Sequence, residues 1–454
     1  MKTKLSCAPN SILWFSCACF IFLSCKKVSD LQPVLSSASE NVNSATNGKP
    51  NIILILADDI GYGIVTANGG ESFKTPNIDK MAQIGMRFTN CFASPLCSPS
   101  RTTFMTGKYN FRNYFTWGSL GTNEKMTANL MRDAGYATYV AGKWEFDGGD
   151  ASIAAHGFGG YSVWNAFKSD NGSHYKDPRI YENAGYLPDN VVKGKYGDDI
   201  FTDRVLSFVK TNKDNNFFVY FPITLCHYPY SPTPDDPEFA SWDNKTSQPD
   251  TVYWRSMVKY MDKKVGQLMD SLKAWNLLNN TIVMFSGDNG TPHDIFFTQD
   301  GVYQEGSKSS TTNLGTKVPL IVSWPAGIGT GGQVNTNLID FTDFLPTCAE
   351  AAGATIPASY GTIDGVSFLK QLQGLPTTPR SWVFNHYQPF TDQPKGDQIT
   401  RWINNATYKL YDSTGRFYNI ALDPDEKRPL KKSTLTPDEK LLRKQFQNVM
   451  NTLH

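Results

Sequence analysis

A single cysteine in an unusual setting is the first candidate for chemistry. Residues 97–107 read CSPSRTTFMTG, so Cys97 is closely followed by Pro99, Arg101 and small polar residues. A disulfide-bonded cysteine needs no such neighbours, and a core cysteine is expected among apolar ones. We therefore predict that Cys97 itself takes part in a reaction.

The cysteine count is consistent with this prediction. Of the eight cysteines, four lie within the first 25 residues and four follow, namely Cys91, Cys97, Cys226 and Cys348. The last four could form two disulfides, but a domain of this size does not need covalent cross-links. If Cys97 is reserved for chemistry, at least one of the other three is unpaired, and we expect all three in the core.

A group of oxygen-donor side chains is the second candidate. The pairs Asp58-Asp59 and Asp288-Asn289 each follow an apolar run, and neither pair includes a thiol or an imidazole. Carboxylate and amide oxygens suit Ca²⁺ or Mg²⁺ rather than zinc. Both short motifs are also common turn formers, so each alone would indicate a turn. Their shared position after buried strands favours a metal site.

Two lysines and a histidine could complete a site for an anionic group. A lone lysine is usually a solvated surface residue and a lone histidine is usually structural, so none of the three is informative alone. Next to a metal cluster, Lys143 and Lys308 indicate an anionic substrate group. His227 follows a strand and precedes Pro229, which is a suitable position for a general acid.

Alternating strands and helices are predicted to position these residues. Apolar runs at 51–56, 136–141, 217–224 and 281–285 indicate strands buried on both faces, and helical patterns separate them. The fold class is therefore α/β, with a large, mostly parallel sheet sandwiched by helices. Ligands of such folds bind beyond the carboxyl ends of the strands, where most of the polar residues named above lie. From about residue 375, short segments indicate a smaller α+β subdomain with antiparallel strands and a terminal helix.

Several motifs together resemble one family. CSPSRTTFMTG fits a Cys-x-Pro-Ser-Arg signature, and LADDIGYG, AGKW, HGFG, SGDNG and KVPLIVSWP occur in the matching order over roughly residues 50–350. The chain is similar to type I sulfatases of the alkaline-phosphatase superfamily. The resemblance implies an alkaline-phosphatase-like fold and sulfuric ester hydrolase activity.

The resemblance also implies a modified nucleophile and a metal. In this family a maturation enzyme converts the signature cysteine, here Cys97, to formylglycine, and the hydrate of this aldehyde is the nucleophile. One hydroxyl attacks sulfur, and the second can then lose its proton and expel sulfate. The Ca²⁺ ligands implied by the resemblance are Asp58, Asp59, Asp288, Asn289 and the modified Cys97.

The remaining residues receive catalytic roles from the same resemblance. Arg101 would orient the hydrate, and Lys143 and Lys308 would neutralise charge that develops on the sulfuryl oxygens. His227 would protonate the departing oxygen of the substrate.

Two positions depart from the family pattern. The family commonly has a histidine two residues after its first lysine, and this chain has Glu145 there. That histidine helps to deprotonate the hydrate, so Glu145 either takes over as the base or marks a divergent pocket. Residues 311–315 read TTNLG, where the family usually has Thr-x-Glu-Gly-Gly. The metal, nucleophile and lysine positions are retained, so we predict an active enzyme.

The N-terminus indicates export. A basic start, a short apolar run and Leu-Ser-Cys at 23–25 resemble a bacterial lipoprotein signal with Cys25 as the lipidated residue, and ordinary cleavage nearby is the alternative. We expect a periplasmic or outer-membrane lipoprotein that touches the membrane only through its lipid. The predicted divisions are a signal peptide at 1–25, a flexible linker at 26–49, a catalytic domain at 50–374 and a C-terminal subdomain at 375–454.

The composition leaves the substrate open. A formal net charge of +1 gives no reason to expect nucleic-acid binding, and 13% aromatic residues fit a large core or a sugar-binding cleft. We predict hydrolysis of sulfate esters on a sulfated polysaccharide or oligosaccharide. One alternative is a phosphate or phosphonate ester hydrolase of the same superfamily, and another is a non-catalytic glycan-binding lipoprotein.

Substrate selectivity is expected in the loops at 111–123 and 160–197. Candidates for sugar contact in the first loop are Phe111, Arg112, Tyr114 and Trp117. Packing inside the protein is an equally good explanation for its aromatic residues.

Overall fold

The computed structural model describes residues 48–390 and 399–453. The predicted signal peptide and almost all of the predicted linker lie outside these residues. Within the described part of the chain, no helix is both long and apolar enough to cross a bilayer.

A large mixed sheet forms the centre of the protein. Among the described residues it has ten strands in the order β12-β2-β11-β8-β1-β7-β3-β4-β5-β6. These strands are β1 (Asn51–Ala57), β2 (Met86–Phe92), β3 (Ala137–Lys143), β4 (Gly160–Trp164), β5 (Tyr181–Glu182), β6 (Gly185–Tyr186), β7 (Phe217–Phe221), β8 (Thr281–Gly287), β11 (Lys317–Ser323) and β12 (Gln333–Asp340). A separate two-stranded ribbon consists of β9 (Phe296–Gln299) and β10 (Val302–Glu305).

The five adjacent strands from β8 to β4 are parallel, which agrees with the sequence prediction. Antiparallel pairings occur on both sides of this block, where β11 pairs with β8 and β2, and β5 pairs with β4 and β6. The sheet is therefore mixed, with its parallel strands at the centre.

Helices cover both faces of the sheet. The described helices are α1 (Pro76–Gln83), α2 (Cys97–Thr106), α3 (Asn110–Asn113), α4 (Thr127–Asp133), α5 (Gly149–Ala155), α6 (Asp189–Val192), α7 (Gly197–Thr211), α8 (Trp254–Ala274), α9 (Asn313–Thr316), α10 (Pro325–Ile328), α11 (Phe344–Ala351), α12 (Leu369–Leu372) and α13 (Pro437–Met450).

The structure of strand β1 explains why six of its seven residues, Ile52 to Ala57, are apolar. Successive side chains of a strand point to opposite faces. Ile52 and Leu54 join a core cluster that includes residues of α2, α4 and α11. Ile53 and Ile55 join a second cluster on the other face, which includes residues of α1, α7 and α8. Both faces are buried, so Ile52 to Ala57 are apolar. The polar Asn51, at the start of the strand, accepts a hydrogen bond of 3.1 Å from the backbone N of Phe217.

The C-terminal region contains a four-stranded antiparallel sheet of β13 (Val383–Tyr387), β14 (Thr400–Asn404), β15 (Tyr408–Tyr411) and β16 (Phe417–Asn419). Helix α13 begins with a capping box between Thr436 and Glu439, with Pro437 in its first turn. Phe446 of this helix shares a core cluster with Phe384 of the sheet and with Tyr109 of the preceding region. The antiparallel strands and the terminal helix that the sequence predicts for this region are confirmed.

The four cysteines of the described residues are all free and buried. Cys91, Cys226 and Cys348 belong to the two core clusters of the large sheet, as expected from the sequence.

Candidate active site

The carboxyl ends of neighbouring parallel strands meet at one edge of the large sheet. Strand β8 leads into Asp288 and Asn289, β1 leads into Asp58 and Asp59, and β3 ends at Lys143. Because these strands are parallel and lie close together in the sheet, the polar side chains that follow them lie together.

Two glycines allow backbone segments to approach closely at this edge. Gly142 has φ 120°, and a Cβ there would lie 2.0 Å from the carbonyl oxygen of Pro222. The same oxygen accepts a hydrogen bond of 2.8 Å from the backbone N of Lys143. A Cβ on Gly287 would lie 1.8 Å from the carbonyl oxygen of Ile60. Because glycine has no Cβ, the glycines of AGKW and SGDNG allow the strand ends to lie this close to neighbouring backbone segments.

Asp58 is a fully buried carboxylate between two cations. Its Oδ2 lies 2.9 Å from Nζ of Lys143 and 3.5 Å from Nη2 of Arg101. Burial alone would raise the pKa of Asp58, but Lys143, His227 and Arg101 hold it well below its ordinary value. Asp58 is therefore ionised, and its Oδ1 has no hydrogen-bond partner among the described residues.

Asp59 ties three segments of the site together. Its backbone N donates to Oδ1 of Asp288 at 3.0 Å. Its carboxylate accepts hydrogen bonds from Nδ2 of Asn289 at 2.8 Å and from Nζ of Lys308 at 2.7 Å. Asp59 has φ 64°, a left-handed conformation that costs a residue with a side chain about 1–3 kcal/mol. The hydrogen bonds hold the residue in this conformation.

Cys97 is the first residue of α2, so the positive end of the helix dipole lies at this residue. Its Sγ donates to Oε1 of Glu145 at 3.1 Å. Glu145 has φ 59°, and its Oε2 lies 2.8 Å from Nζ of Lys143. Burial, and then the Glu145 carboxylate, raise the pKa of the Cys97 thiol well above its ordinary value. An unmodified cysteine here is therefore a neutral thiol at pH 7.

Arg101 lies one helical turn after Cys97, on the same face of α2. Its guanidinium is fully buried, and Nε and Nη2 both donate to Oδ2 of Asp288, at 3.0 and 2.7 Å. Nε also lies 3.7 Å from Oε2 of Glu145. The four-residue spacing within the CSPSR segment therefore brings the thiol and the guanidinium into the same site.

His227 follows β7 in a loop that is fixed to the end of β1. The backbone N of Cys226 donates to the carbonyl oxygen of Asp58 at 2.7 Å. Nδ1 of His227 lies 2.6 Å from the carbonyl oxygen of Tyr228, so Nδ1 carries a proton and Nε2 is left for the site. Burial and the nearby Lys143 lower the pKa of His227.

The arrangement of these groups fits a divalent cation. Asp58, Asp59 and His227 each offer a ligand atom, and these atoms lie within 4.8 Å of one another. Asn289 adds a buried Oδ1 that has no partner among the described residues. Burial, and then the neighbouring Asp58 carboxylate, raise the pKa of Asp288 to about 7. Oxygen donors of this kind suit Ca²⁺ or Mg²⁺. The sequence predicted His227 among the polar residues that meet at these strand ends, but as a general acid and not as a ligand.

The balance of buried charge leads to the same conclusion. When all four carboxylates are ionised, they face three cations and leave one negative charge in excess; these groups are Asp58, Asp59, Glu145, Asp288, Arg101, Lys143 and Lys308. A bound divalent cation would make the site net positive. An anionic substrate group requires that sign of charge.

His174 is a residue of this site that the sequence analysis missed. It is buried, and its ring lies 4.2 Å from the ring of Trp164 and 5.8 Å from that of His227. Its Nε2 has no partner among the described residues, and burial together with His227 lowers its pKa. No motif surrounds His174, so only the fold could reveal that it packs behind His227.

The proposed sugar-contact residues of the 111–123 loop mostly serve packing. Arg112 forms a two-pronged ion pair with Asp364, at 2.8–3.0 Å. Phe111 packs against the core cluster of the C-terminal sheet, and Tyr114 is buried. Trp117 stacks on a phenylalanine that follows β13, with ring centroids 5.3 Å apart.

Comparison with known proteins identifies the family. The sulfatase family model matches residues 50–354, and a model described as the C-terminal region of N-sulphoglucosamine sulphohydrolase matches residues 308–453. Human N-acetylgalactosamine-6-sulfatase is 30% identical over 365 residues, which cover 71% of this chain and 66% of the human protein. N-acetylgalactosamine-6-O-sulfatase of Bacteroides thetaiotaomicron is 25% identical, over 90% of this chain and 96% of that protein. The chain thus spans about two thirds of the length of the human relative.

Solved structures share the fold. One, in complex with its substrate D-glucosamine-2-N,6-O-disulfate, has a TM-score of 0.71 and 22% identity over 89% of this chain and 98% of its own. The phosphonate monoester hydrolase of Agrobacterium radiobacter has a TM-score of 0.64 and 18% identity over 89% of this chain and 95% of its own.

With a family model covering residues 50–354, the chain belongs to the sulfatase family. Within that family it is a type I sulfatase of the alkaline-phosphatase superfamily, as its motifs and its ten-stranded sheet both indicate.

Proposed function

We propose that this protein hydrolyses sulfate esters of a sulfated polysaccharide or oligosaccharide, with formylglycine at position 97 and Ca²⁺ as its cofactors. The observation that carries the proposal is the position of Cys97. It begins a buried helix, its Sγ lies 3.1 Å from a carboxylate, and that carboxylate is paired with Lys143.

The metal would be held by oxygen donors. Asp58, Asp59, Asp288 and Asn289 are its ligands in this proposal, together with the modified residue 97. When bound, Ca²⁺ supplies positive charge next to the sulfate oxygens. The unpaired buried oxygens of Asp58 and Asn289 support this assignment.

The nucleophile needs a base, and Glu145 is the group in contact with it. Formylglycine hydrate supplies one hydroxyl for attack on sulfur and a second whose deprotonation expels sulfate. Glu145, at 3.1 Å from the side chain of residue 97, is placed to accept the first proton. Lys143 holds the Glu145 carboxylate through a 2.8 Å ion pair, and Arg101 is placed to orient the hydrate.

The two lysines and His227 act on the substrate in this proposal. Lys143 and Lys308 stabilise the charge that grows on the sulfuryl oxygens. His227 binds a proton at Nε2 and delivers it to the departing oxygen, while its Nδ1 stays bonded to the carbonyl oxygen of Tyr228. His174 packs against His227 and keeps its ring in place.

The sulfated-sugar substrate is supported by the relatives. Two of them are named for sulfated N-acetylgalactosamine, and a structural neighbour was determined with a sulfated glucosamine. We also propose export as an N-terminally lipidated protein of the periplasm or outer membrane, which rests on the sequence of residues 1–25.

Sulfate release tests the proposal. The chain is produced in a host with the maturation enzyme and incubated with p-nitrophenyl sulfate, p-nitrophenyl phosphate, phenyl phenylphosphonate and sulfated oligosaccharides. We expect release of inorganic sulfate as the dominant activity. Release of phosphate or cleavage of the phosphonate at a higher rate would favour the alternative hydrolase, and carbohydrate binding without turnover would favour a non-catalytic protein.

A further inference from the structure

An exposed pair of aromatic rings lies on the β9–β10 ribbon, which connects two parts of the site. Phe296 and Tyr303 are stacked, with ring centroids 5.9 Å apart and planes 13° apart. They are 50% and 71% exposed, which is unusual for large aromatic side chains. Exposed apolar surface of this kind commonly marks a binding site.

The ribbon is held rigidly. Cross-strand pairing puts Phe296 and Tyr303 on one face, because Phe296 pairs with Glu305 and Tyr303 with Thr298. Phe297 points to the opposite face, is buried and belongs to the core of the large sheet. The outer edge of β9 is also hydrogen-bonded, through Thr298 and Asp300, to the segment at residues 69–71. A rigid surface loses little entropy when it binds a ligand.

The base of the ribbon is part of the candidate active site. The backbone N of Lys308 donates to the carbonyl oxygen of Thr291 at 2.8 Å, and the backbone N of Gly306 donates to the carbonyl oxygen of Ile295 at 2.9 Å. Strand β9 of the ribbon begins seven positions after Asn289, and β10 ends three positions before Lys308. Glu305 and Lys308 are three positions apart in the sequence, so their Cα atoms are at most about 11 Å apart.

Contacts link the base of the ribbon to the segment that carries His227. Tyr228, 56% exposed, follows His227 and contacts the ring of Tyr230 at 5.5 Å. The hydroxyl of Tyr230 donates to Asp294, at the base of the ribbon, at 2.8 Å. In the proposed function, His227 protonates the oxygen that stays on the sugar, so the rest of the substrate extends on this side.

We infer that Phe296 and Tyr303 form a binding platform for a second sugar ring of the substrate, beyond the sulfated ring. This inference rests on the proposed function. The C–H face of a pyranose is apolar and packs on the negative face of an aromatic ring. The exposed pair of Glu305 and His293, 3.4 Å apart, lies beside the platform and offers partners for sugar hydroxyls. The Glu305 carboxylate repels sulfate, so the platform binds an unsulfated ring.

Kinetics with short and long substrates test the platform. The probes are p-nitrophenyl sulfate, which lacks a second ring, and two oligosaccharides with a neutral unsulfated ring, a keratan sulfate tetrasaccharide and a κ-carrageenan hexasaccharide. We expect Tyr303→Ala to lower the ratio of kcat/KM for the better oligosaccharide to that for p-nitrophenyl sulfate about five- to tenfold. Phe296→Ala should lower it in the same direction. Val302→Ala, on the opposite face of the ribbon and 60% exposed, should leave the ratio unchanged.

Binding provides a readout that does not depend on turnover. Saturation-transfer NMR with the same oligosaccharides should show contact with an unsulfated ring in the wild-type protein and its loss in Tyr303→Ala. If the enzyme releases sulfate but Tyr303→Ala changes neither the ratio of kcat/KM values nor the saturation-transfer signal of the unsulfated ring, the platform is overturned and the proposed function stays intact. If the saturation-transfer signal is lost in Tyr303→Ala but the wild-type protein releases no sulfate, the proposed function is overturned and the sugar-binding platform is retained. A Tyr303→Ala variant that changes only the oligomeric state would mean that the ring pair binds a second copy of the chain, and would overturn the inference.

Discussion

Oε1 of Glu145 lies 3.1 Å from Sγ of Cys97, in a position where related sulfatases commonly have a histidine. The second oxygen of the same carboxylate lies 2.8 Å from Lys143. A carboxylate that touches the nucleophile and is charge-paired with a lysine has the two properties required of a general base. It is in reach of the proton, and its orientation is fixed.

We predict that Glu145→Gln slows turnover about 100-fold or more, the range typical of the loss of a general base. Glutamine keeps the shape of the side chain and the contact with residue 97 but cannot accept the proton. The loss should therefore appear in kcat, with KM changed much less. Steady-state kinetics with p-nitrophenyl sulfate measure both constants.

Glu182→Gln is a matched control because Glu182 also forms an ion pair, with Arg204 at 2.8 Å, but lies outside the site. A normal kcat in Glu145→Gln would remove Glu145 from the mechanism. Glu145→His restores the residue common in the family and should retain more activity than Glu145→Gln.

The modification of Cys97 can be detected directly. Protein from a host with the maturation enzyme should carry an aldehyde in the tryptic peptide of residue 97, seen by mass and by hydrazide capture. Cys97→Ala should abolish sulfate release, and Cys97→Ser should be inactive in a host that modifies only cysteine. A single serine hydroxyl lacks the second oxygen that expels sulfate. Sustained turnover by Cys97→Ala would refute this mechanism.

Calcium should stabilise the fold as well as support activity. A ligand that binds only the folded state raises the free energy of unfolding by about 2.7 kcal/mol at 100 times its Kd. We expect added Ca²⁺ to raise the Tm of chelator-treated protein. Asn289→Ala removes a ligand and should greatly reduce this increase, whereas Asn215→Ala, in an exposed turn, should not. A Tm that is insensitive to Ca²⁺ in the wild-type protein would contradict the metal assignment.

Asp198 should make stability depend on pH. Its buried carboxylate accepts hydrogen bonds from the backbone N and the hydroxyl of Thr224, at 3.0 and 2.7 Å. Burial raises its pKa from 3.8 to about 7, more than the Thr224 hydrogen bonds lower it; nearby Asp199 adds to the increase and Lys264 opposes it. The folded state therefore binds the Asp198 proton more tightly than the unfolded chain.

The sign of the effect follows from this difference in proton binding. The stabilising contribution of protonated Asp198 is complete below pH 4 and is lost as the pH rises through 7. Between these values, this group should lower the free energy of unfolding by about 1.4 kcal/mol per pH unit. Asp198→Asn should remove that slope in urea denaturation between pH 5 and 7. Asp214→Asn, in an exposed turn after the same helix, should keep it.

The strand ends were predictable because their signals are local. Apolar runs such as IILILA favour strands buried on both faces, and the polar residues that follow neighbouring parallel strands meet at one edge of the sheet. These parts of the site need no knowledge of distant contacts. Helix α2 was not predicted, so the proximity of Cys97 and Arg101 was implied by the family resemblance and not by helical spacing.

Contacts between distant residues could not be predicted in this way. Arg112 resembled a sugar-binding residue until its partner Asp364, 252 residues away, was known. His174 lies in a segment without a motif, and the fold alone brings it to His227. The aromatic ribbon had a readable signal that was overlooked. Asp300-Gly301 separates two short runs with large apolar side chains, which is a strong hairpin pattern.

The burial of α2 also has a consequence for how the active protein is made. All ten residues of this helix, from Cys97 to Thr106, are buried in the finished fold. A second enzyme could reach the cysteine only while the segment is still an extended chain. Whether a given molecule becomes active therefore depends on whether Cys97 is modified before the chain folds. Chains that fold first would be stable but permanently inactive. An overexpressed preparation would then be a mixture of modified and unmodified protein. Its active fraction would be set by the rate of modification relative to the rate of folding.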